Sequence, residues 1–220
     1  MGNKTLVIIP AYNEEKHLPK LLPSISKKYD TLVIDDGSVD KTYEIARKFT
    51  SRVLHHKVNQ GVGASLRDGF HYAIERGYEN CIVVNADLQH PADLIDEFIE
   101  ELENGFDAVV GSRLLGKTDS MPSIRRLGNT SFAFLVNLLY GTNYTDVTCG
   151  MRAFKTKVLK GVMSMENRYG IEIDMSIKMK KKRLKVVEKR IPAIYAPGTS
   201  KMRISTVWLQ LLKPVIKNLF

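Results

Sequence analysis

Short apolar runs alternate with amphipathic stretches through the first half of this chain. Each run ends at turn-forming or acidic residues, after which apolar residues return at helical spacing. This alternation is typical of parallel strands connected by helices. The predicted strands are 6–9, 32–34, 53–55, 82–84 and 108–110, and the predicted helices are 14–26, with Asn13 as its N-cap, 41–49, 63–76 and one that begins at Pro91. The pattern predicts an α/β fold: a single domain with a mostly parallel central sheet flanked by helices.

The pattern changes after Gly116. A mobile loop is predicted over residues 117–123, followed by a helix over 125–140 whose wide apolar side includes Phe132 and Phe134. Two interpretations of this helix remain open: its apolar side packs on the sheet, or it lies at a membrane surface as an amphipathic helix.

Residues 204–220 have a similar character. The segment combines apolar residues with Lys213 and Lys217 and contains no acid. Trp208 beside basic residues suits a membrane interface, and Pro214 is expected to kink the helix. The chain therefore divides into a main domain over 1–203 and an amphipathic C-terminal helix over 204–220.

Polar side chains follow two of the predicted strands directly. Asp35 and Asp36 come after the strand at 32–34, and Asn85, Asp87 and Gln89 come after the strand at 82–84. Ligands bind at the carboxyl ends of parallel strands, and the oxygens of Asp87 and Gln89 suit Mg²⁺ or Mn²⁺ that is also held by substrate phosphates. The two strand ends together predict a nucleotide and metal site. An ordinary strand-to-turn junction is the alternative at either place.

Composition adds an uneven charge. The 220 residues carry a formal net charge of +9, with seven acids and no base over 93–107, and eight bases against one acid over 178–190. The basic region is expected to face anionic lipid, nucleic acid or water. A nucleic-acid-binding domain would explain the basic run but neither of the acidic strand ends.

Membrane spans, a signal peptide and disulfides are not expected. The N-terminal apolar run is four residues long and ends at Pro10, and no segment reaches the roughly 20 apolar residues that a span needs. Cys81 and Cys149 make no disulfide framework. A Rossmann dehydrogenase is disfavoured because no G-x-G-x-x-G motif follows the first strand.

Several motifs together resemble family 2 glycosyltransferases, and within them dolichyl-phosphate mannose synthase and related polyprenyl-phosphate glycosyltransferases. The resemblance covers about residues 6–202. The motifs, in order, are IPAYNEE at 9–15, DDGS at 35–38, NADLQHP at 85–91, GSR at 111–113, the pair Arg125 and Arg126, and DVTCGMR at 146–152. It implies a GT-A type fold, the fold of nucleotide-diphospho-sugar transferases.

The resemblance also implies roles for individual residues. Asp87, Arg113 and Arg126 would be catalytic, and Asn85, Asp87 and Gln89 would hold the metal. The nucleotide would contact Pro10, Tyr12, Glu14, Asp36 and Asp87. The donor pyrophosphate would contact Arg152, Lys201 and Arg203, and the acceptor phosphate Arg113, Arg126 and Thr130. Asn85 departs from the motif, where Asp is usual; the amide removes a negative charge and should weaken metal binding.

The expected reaction is transfer of a sugar, mannose or glucose, from a GDP- or UDP-sugar to a polyprenyl or dolichyl phosphate, with inversion. Such an acceptor is already ionised, so alignment and charge stabilisation would suffice. If the acceptor is instead a hydroxyl on a soluble molecule or glycan, Glu172 or Asp174 is the expected base; an acid pair favouring a helix N-terminus is the alternative. The protein is expected at the cytoplasmic face of a membrane as a peripheral protein, or in the cytoplasm.

Overall fold

A computed structural model describes residues 4–115, 121–168, 170–194 and 204–219. Within these ranges, seven strands form one sheet in the order β3-β2-β1-β4-β6-β5-β7. All strands run parallel except β6, which is antiparallel to both of its neighbours. The strands are β1 Thr5–Ala11, β2 Asp30–Asp35, β3 Val53–His55, β4 Asn80–Val83, β5 Ala108–Ser112, β6 Arg152–Lys155 and β7 Val186–Arg190.

Helices cover both faces of the sheet, and this explains the continuous apolar runs in its central strands. Alternate residues of β1 enter different cores: Leu6 and Ile8 join one buried cluster, and Val7 and Ile9 join the other. The helices are α1 Leu18–Ile25, α2 Thr42–Phe49, α3 Val62–Glu75, α4 Ile95–Glu103, α5 Ser123–Tyr140, α6 Leu159–Val162, α7 Ile171–Lys181 and α8 Ile204–Lys217. The predicted α/β class and its parallel core are confirmed.

The first helix begins later than predicted. Residues 14–17 form a turn in which the Glu14 carbonyl accepts from the amides of His17 and Leu18, at 3.0 and 3.1 Å. α1 starts at Leu18, with a proline in its first turn. The prediction of Asn13 as an N-cap was wrong: its backbone has φ 56°, and its side chain accepts from the amide of Val39.

The C-terminal helix α8 packs against α5 and α7. The Tyr140 hydroxyl of α5 donates to the carbonyl of Val215 in α8 at 2.5 Å. The Asn218 amide donates to the buried Asp174 of α7 at 2.7 Å, and Val215 is 2% exposed. α8 is therefore part of the domain's packing, and it continues as a helix through Pro214.

Candidate active site at the carboxyl edge of the sheet

The predicted site residues that follow β1, β2 and β4 lie at one edge of the sheet because these parallel strands end together. Ala11 lies opposite Asp35 in the register of β1 and β2, and Ile8 lies opposite Val83 in the register of β1 and β4. The chain therefore leaves β1, β2 and β4 on the same side of the sheet and forms three adjacent loops. This edge is where open α/β sheets bind ligands.

The loops after β1 and β2 are joined by hydrogen bonds. The amide of Asn13 donates to Ser38 Oγ at 2.9 Å, and the amide of Glu14 donates to Thr42 Oγ1 at 2.7 Å. The Glu14 carboxylate is paired with His17. Tyr12 is left 40% exposed at this edge, so its ring face is open to stacking.

Asp36 is buried and bonded within the protein. Its Oδ1 accepts from the amide of Gln60 at 2.9 Å and lies 2.6 Å from His56 Nδ1, and its Oδ2 accepts from the amide of Gly61 at 2.7 Å. This differs from the expected direct contact with the base, because the carboxylate is already engaged by the loop after β3.

The loop after β4 carries the candidate metal ligands. The amide of Gln89 donates to Asp87 Oδ1 at 3.0 Å, and Leu88 between them has φ 63°. A left-handed conformation is unfavourable for leucine, so the tertiary structure imposes this turn. Burial raises the pKa of Asp87, while the Gln89 amide, His17 and Arg113 oppose the rise.

His90 supports this loop as a neutral side chain. Burial, with a smaller contribution from Arg113, lowers the pKa of His90 to about 3. Its Nδ1 accepts from the backbone amide of Asn85 at 3.0 Å, which places the proton on Nε2. The Asn85 side chain lies against Gly150, where an added Cβ would stand 3.1 Å from Asn85 Nδ2.

The candidate ligands at this loop would fit a hard cation that shares its coordination with a substrate. They supply one carboxylate from Asp87 and amide oxygens from Asn85 and Gln89. Across the described ranges, no cluster of three His, Cys, Asp or Glu side chains is suited to hold a metal. A hard cation such as Mg²⁺ or Mn²⁺ would therefore need donor phosphates to complete its charge and ligand number.

Arg113 is paired with Asp146. Its Nε lies 2.7 Å from Asp146 Oδ2, its Nη2 lies 3.0 Å from Asp146 Oδ1, and Nη2 also donates to Thr148 Oγ1 at 2.8 Å. Burial alone would raise the pKa of Asp146, but Arg113 and Thr148 bring it below its ordinary value. The fork expected on an acceptor phosphate instead contacts a protein carboxylate.

Arg152 is also placed differently from the expectation that it binds the pyrophosphate. It is 2% exposed, and Nε, Nη1 and Nη2 donate to Cys149 O, Ser176 Oγ and Val147 O at 2.9–3.0 Å. A guanidinium with protein acceptors at all three nitrogens supports the 147–152 segment, so we withdraw its pyrophosphate assignment. The other two residues of that set, Lys201 and Arg203, lie outside the described residues.

The two candidate bases have different surroundings. Asp174 is buried and bonded to Lys178 and Asn218, at 3.0 and 2.7 Å. Glu172 is half-buried; burial raises its pKa, and Arg152 and Arg113 oppose the rise. Glu172 thus shares its electrostatic surroundings with Arg113, and Asp174 belongs to the packing of α8.

α5 has one buried face and one exposed face. Phe132, Ala133 and Val136 are buried, so one side packs on the domain as the first interpretation expected. The opposite side is apolar too, with side chains between 61% and 68% exposed at Ile124, Leu127, Phe134 and Leu138. Arg126 and Thr130 are exposed on α5. None of the described helices has the length and apolar character needed to cross a membrane.

Sequence reasoning missed several residues that organise this site. His56 binds Asp36, and Glu188 of β7 accepts the amides of Thr145 and Asp146 at 2.9–3.1 Å. Asp146 belongs to the motif at 146–152, and its partner Arg113 belongs to the motif at 111–113. An acid in one motif and an arginine in another are a signal for such a pair, but the pairing needs the fold.

Comparison with known proteins gives a consistent family. The model of "Glycosyl transferase family 2" matches residues 6–163. An undecaprenyl-phosphate mannosyltransferase of Micrococcus luteus is 30% identical, over 90% of this chain and 87% of its own. A UDP-N-acetylglucosamine–dolichyl-phosphate N-acetylglucosaminyltransferase of Methanococcus voltae is 32% identical, over 96% of each chain. A dolichol-phosphate mannosyltransferase of Pyrococcus furiosus is 33% identical over 93% of this chain, which spans 61% of that protein.

Solved structures support the fold. Glucosyl-3-phosphoglycerate synthase from Mycobacterium tuberculosis, in complex with Mn²⁺, UDP-glucose and phosphoglyceric acid, superposes with a TM-score of 0.78 at 19% identity, covering 99% of this chain and 80% of that one. The same enzyme was also solved with Mg²⁺ and UDP. The architecture is that of a GT-A type glycosyltransferase, and the chain belongs to glycosyl transferase family 2.

Proposed function

We propose that this protein transfers a hexose from a nucleotide-diphospho-sugar to a polyprenyl or dolichyl phosphate at a membrane surface. Support for the donor comes from the edge where the loops after β1, β2 and β4 meet. Tyr12 offers a ring face for the base, and Asp87 offers a carboxylate for a cation shared with the pyrophosphate. A divalent metal held there would neutralise charge on the leaving diphosphate.

The observation that carries the lipid acceptor is the exposed apolar face of α5. Four large apolar side chains there are each more than 60% exposed, and they recur at helical spacing over about 21 Å of helix. A face of this kind is typical of a helix lying in a membrane interface. A polyprenyl phosphate would stay in that membrane while its phosphate reaches the domain.

The position of α5 in the chain links this face to the carboxyl edge of the sheet, where the proposed donor crevice lies. The helix lies between Arg113 and Asp146, and these two residues are bonded to each other. The segment that contains α5 is therefore fixed at both ends to the crevice. Arg126 and Thr130 on this helix are our candidates for the acceptor phosphate, with Arg113 if it exchanges Asp146 for that phosphate.

The reaction follows from the ionisation of the acceptor. A phosphate oxygen of the lipid attacks the anomeric carbon, and the bond from that carbon to the nucleotide diphosphate breaks, with its electron pair leaving on the diphosphate. No proton needs to be removed, so the protein's part is to align the two anions and stabilise the charge that develops. Attack opposite the leaving group inverts the anomeric configuration.

A hydroxyl acceptor is the second candidate, and Glu172 favours it. A half-buried carboxyl with a raised pKa is a suitable proton acceptor beside a crevice. In this case Glu172→Gln should stop transfer, whereas with a lipid phosphate it should leave most of the transfer intact.

The test is a transfer assay with the full chain. Labelled GDP-mannose, UDP-glucose and UDP-N-acetylglucosamine are each offered with a polyprenyl phosphate in vesicles or with soluble hydroxyl acceptors. A thermal-shift titration of GDP and UDP, with and without Mn²⁺, identifies the nucleotide, because a ligand that binds the native state raises the unfolding midpoint. Sugar on the lipid phosphate supports the proposal, and sugar only on a hydroxyl contradicts it.

A further inference from the structure

His56 lies between two carboxylates from different elements. Its Nδ1 is 2.6 Å from Asp36 Oδ1, in the loop after β2, and its Nε2 is 2.8 Å from Asp68 Oδ2, on α3. The residue is 8% exposed. This bridge plays no part in the reaction described above.

The geometry favours the imidazolium form of His56. An imidazole can donate from both ring nitrogens only as a cation; in the neutral form one nitrogen would point a lone pair at a carboxylate. Burial lowers the pKa of His56, but Asp36 and Asp68 outweigh it and raise the pKa above its ordinary value. In the described parts of the chain, Asp36 and Asp68 are the charged groups bonded to the His56 ring. The ring of the adjacent His55 is bonded to Asp35 instead.

The loop at 56–61 is bonded to the same carboxylate as the His56 ring. Asp36 also accepts the amides of Gln60 and Gly61, at 2.9 and 2.7 Å. Val58 is pressed against Gly37, where an added Cβ would stand 2.6 Å from Val58 C. The loop at 56–61 therefore contacts the loop after β2. Its bonds go to the carboxylate of Asp36, which also bonds His56.

We propose that His56 is a positioning residue: as an imidazolium between Asp36 and Asp68, it holds the loop at 56–61 in the place that the donor nucleotide requires. The proposal rests on the proposed function, because the nucleotide is assigned to the loops after β1 and β2. It follows that donor affinity falls as the pH rises and His56 loses its proton. Turnover at saturating donor is unchanged, because His56 does not contact the reacting atoms.

The test titrates the full chain with UDP and GDP from about pH 6 to about pH 9, a range that brackets a raised histidine pKa. In the wild type, Kd is expected to increase with pH. His56→Gln is expected to bind roughly tenfold more weakly at the low end and to lose most of the pH dependence. His71→Gln is the matched control, since His71 is exposed on the same helix as Asp68; it should retain the wild-type profile.

Asp68→Asn provides a second variant in case His56→Gln folds poorly. The Asp68 side chain is 47% exposed, so its replacement is mild. Losing one carboxylate makes the imidazolium less favourable, and the midpoint of the Kd profile should move to lower pH. An unchanged midpoint overturns the proposal. A rise in the KM for the donor that is matched by an equal fall in kcat also overturns it, because it would indicate general destabilisation.

Failure of the proposed function can be recognised separately. The proton on His56 is followed by NMR of the imidazole nitrogens without any nucleotide. If neither UDP nor GDP binds the wild type, the proposed donor is wrong, whatever the NMR titration reports. If nucleotide binds but His56 titrates at or below its ordinary value, the positioning role is wrong and the proposed function stands.

Discussion

Arg113 and Asp146 illustrate how a buried ion pair organises this site at the scale of single residues. Asp146 is fully buried, and its carboxylate receives two guanidinium contacts, the backbone amide of Arg113 and two contacts from Thr148. Such a pair is not strongly stabilising by itself, since burying both charges is costly; removing one partner is strongly unfavourable, because the other charge stays behind.

Asp146→Ala should therefore lower the free energy of unfolding by about 3–5 kcal/mol, the cost of leaving a buried charge unpaired. Urea denaturation with an unchanged m-value checks this. Asp93→Ala, at an exposed acid in the turn before α4, is the control and should stay near the wild type. A loss below about 1 kcal/mol would mean that Arg113 finds another anion or moves into solvent.

The amide of Asn85 is a second single-residue feature of this site. Restoring a carboxylate there should strengthen metal-dependent donor binding, because ligand charge raises the affinity of a hard cation. Asn85→Asp is expected to lower the Mn²⁺ concentration needed for half-maximal thermal stabilisation in the presence of nucleotide, and Asp87→Ala should remove that stabilisation. Asn104→Asp, at an exposed position, controls for the added charge. If Asn85→Asp leaves the Mn²⁺ titration unchanged, Asn85 does not face the ion.

At the scale of elements, the two faces of α5 have different roles. One face packs on the core through Phe132 and Val136, and the other leaves Phe134 and Leu138 exposed. α8 completes this region, but it is a poor target for deletion. Val215 is buried, and Gly170 lies so close to α8 that an added Cβ would stand 2.7 Å from Gln210 O. Removing α8 would expose core, so point substitutions on α5 are the better test.

Replacing Phe134 and Leu138 together by serine should weaken binding to vesicles without changing nucleotide affinity. Each side chain transfers about 1.5–3 kcal/mol of apolar burial if it enters the interface. Co-sedimentation with vesicles containing anionic lipid measures the effect. Val39→Ser is the control, because Val39 is 88% exposed in the loop after β2. Equal sedimentation of the double variant and the wild type would rule out this face as the membrane contact.

Some of these elements could be predicted from the sequence and others could not, for physical reasons. β1, β2 and β4 are buried on both sides, so their apolar runs are continuous and visible. β7 could not be predicted because it is half-buried or exposed throughout and ends in Lys189 and Arg190, so its sequence resembles a basic, solvated run. β6 could not be predicted because it begins with Arg152, and a charged residue does not indicate a buried strand. The acceptors that allow its burial come from residues 147, 149 and 176.

The site shows the same division. The acids at the strand ends predict a ligand-binding edge of the sheet. The structure places these acids together at the carboxyl edge. Which acid faces the ligand depends on pairs formed across the fold, such as Asp36 with His56 and Asp146 with Arg113. Composition and spacing contain no information on those pairs, since their members are 20 and 33 residues apart. Ligand roles for Tyr12, Asp87, Gln89 and Thr130 remain predictions.

At the scale of the whole molecule, the fold joins a polar sheet edge, the proposed donor crevice, to an apolar surface. The crevice is the carboxyl edge of the sheet, and the surface is the outer face of α5, whose segment returns to the crevice at Arg113 and Asp146. An enzyme that links a water-soluble donor to a lipid needs both. Arg126 is exposed near the start of α5. A substitution there tests whether the carboxyl edge of the sheet and the outer face of α5 act together.

Arg126→Ala should reduce acceptor use and spare donor binding. A guanidinium contact with a phosphate contributes about 1.5–3 kcal/mol, which corresponds to roughly ten- to a hundredfold in kcat/KM for the polyprenyl phosphate. Arg126→Lys should also be impaired, because an ammonium cannot reproduce the two-pronged contact. Arg47→Ala, at an exposed arginine of α2, is the control for lost charge. The measurement pairs a transfer assay in vesicles with a nucleotide titration on each variant. If Arg126→Ala weakens nucleotide binding as much as acceptor use, Arg126 serves the donor, and the division of phosphates between the crevice and α5 is wrong.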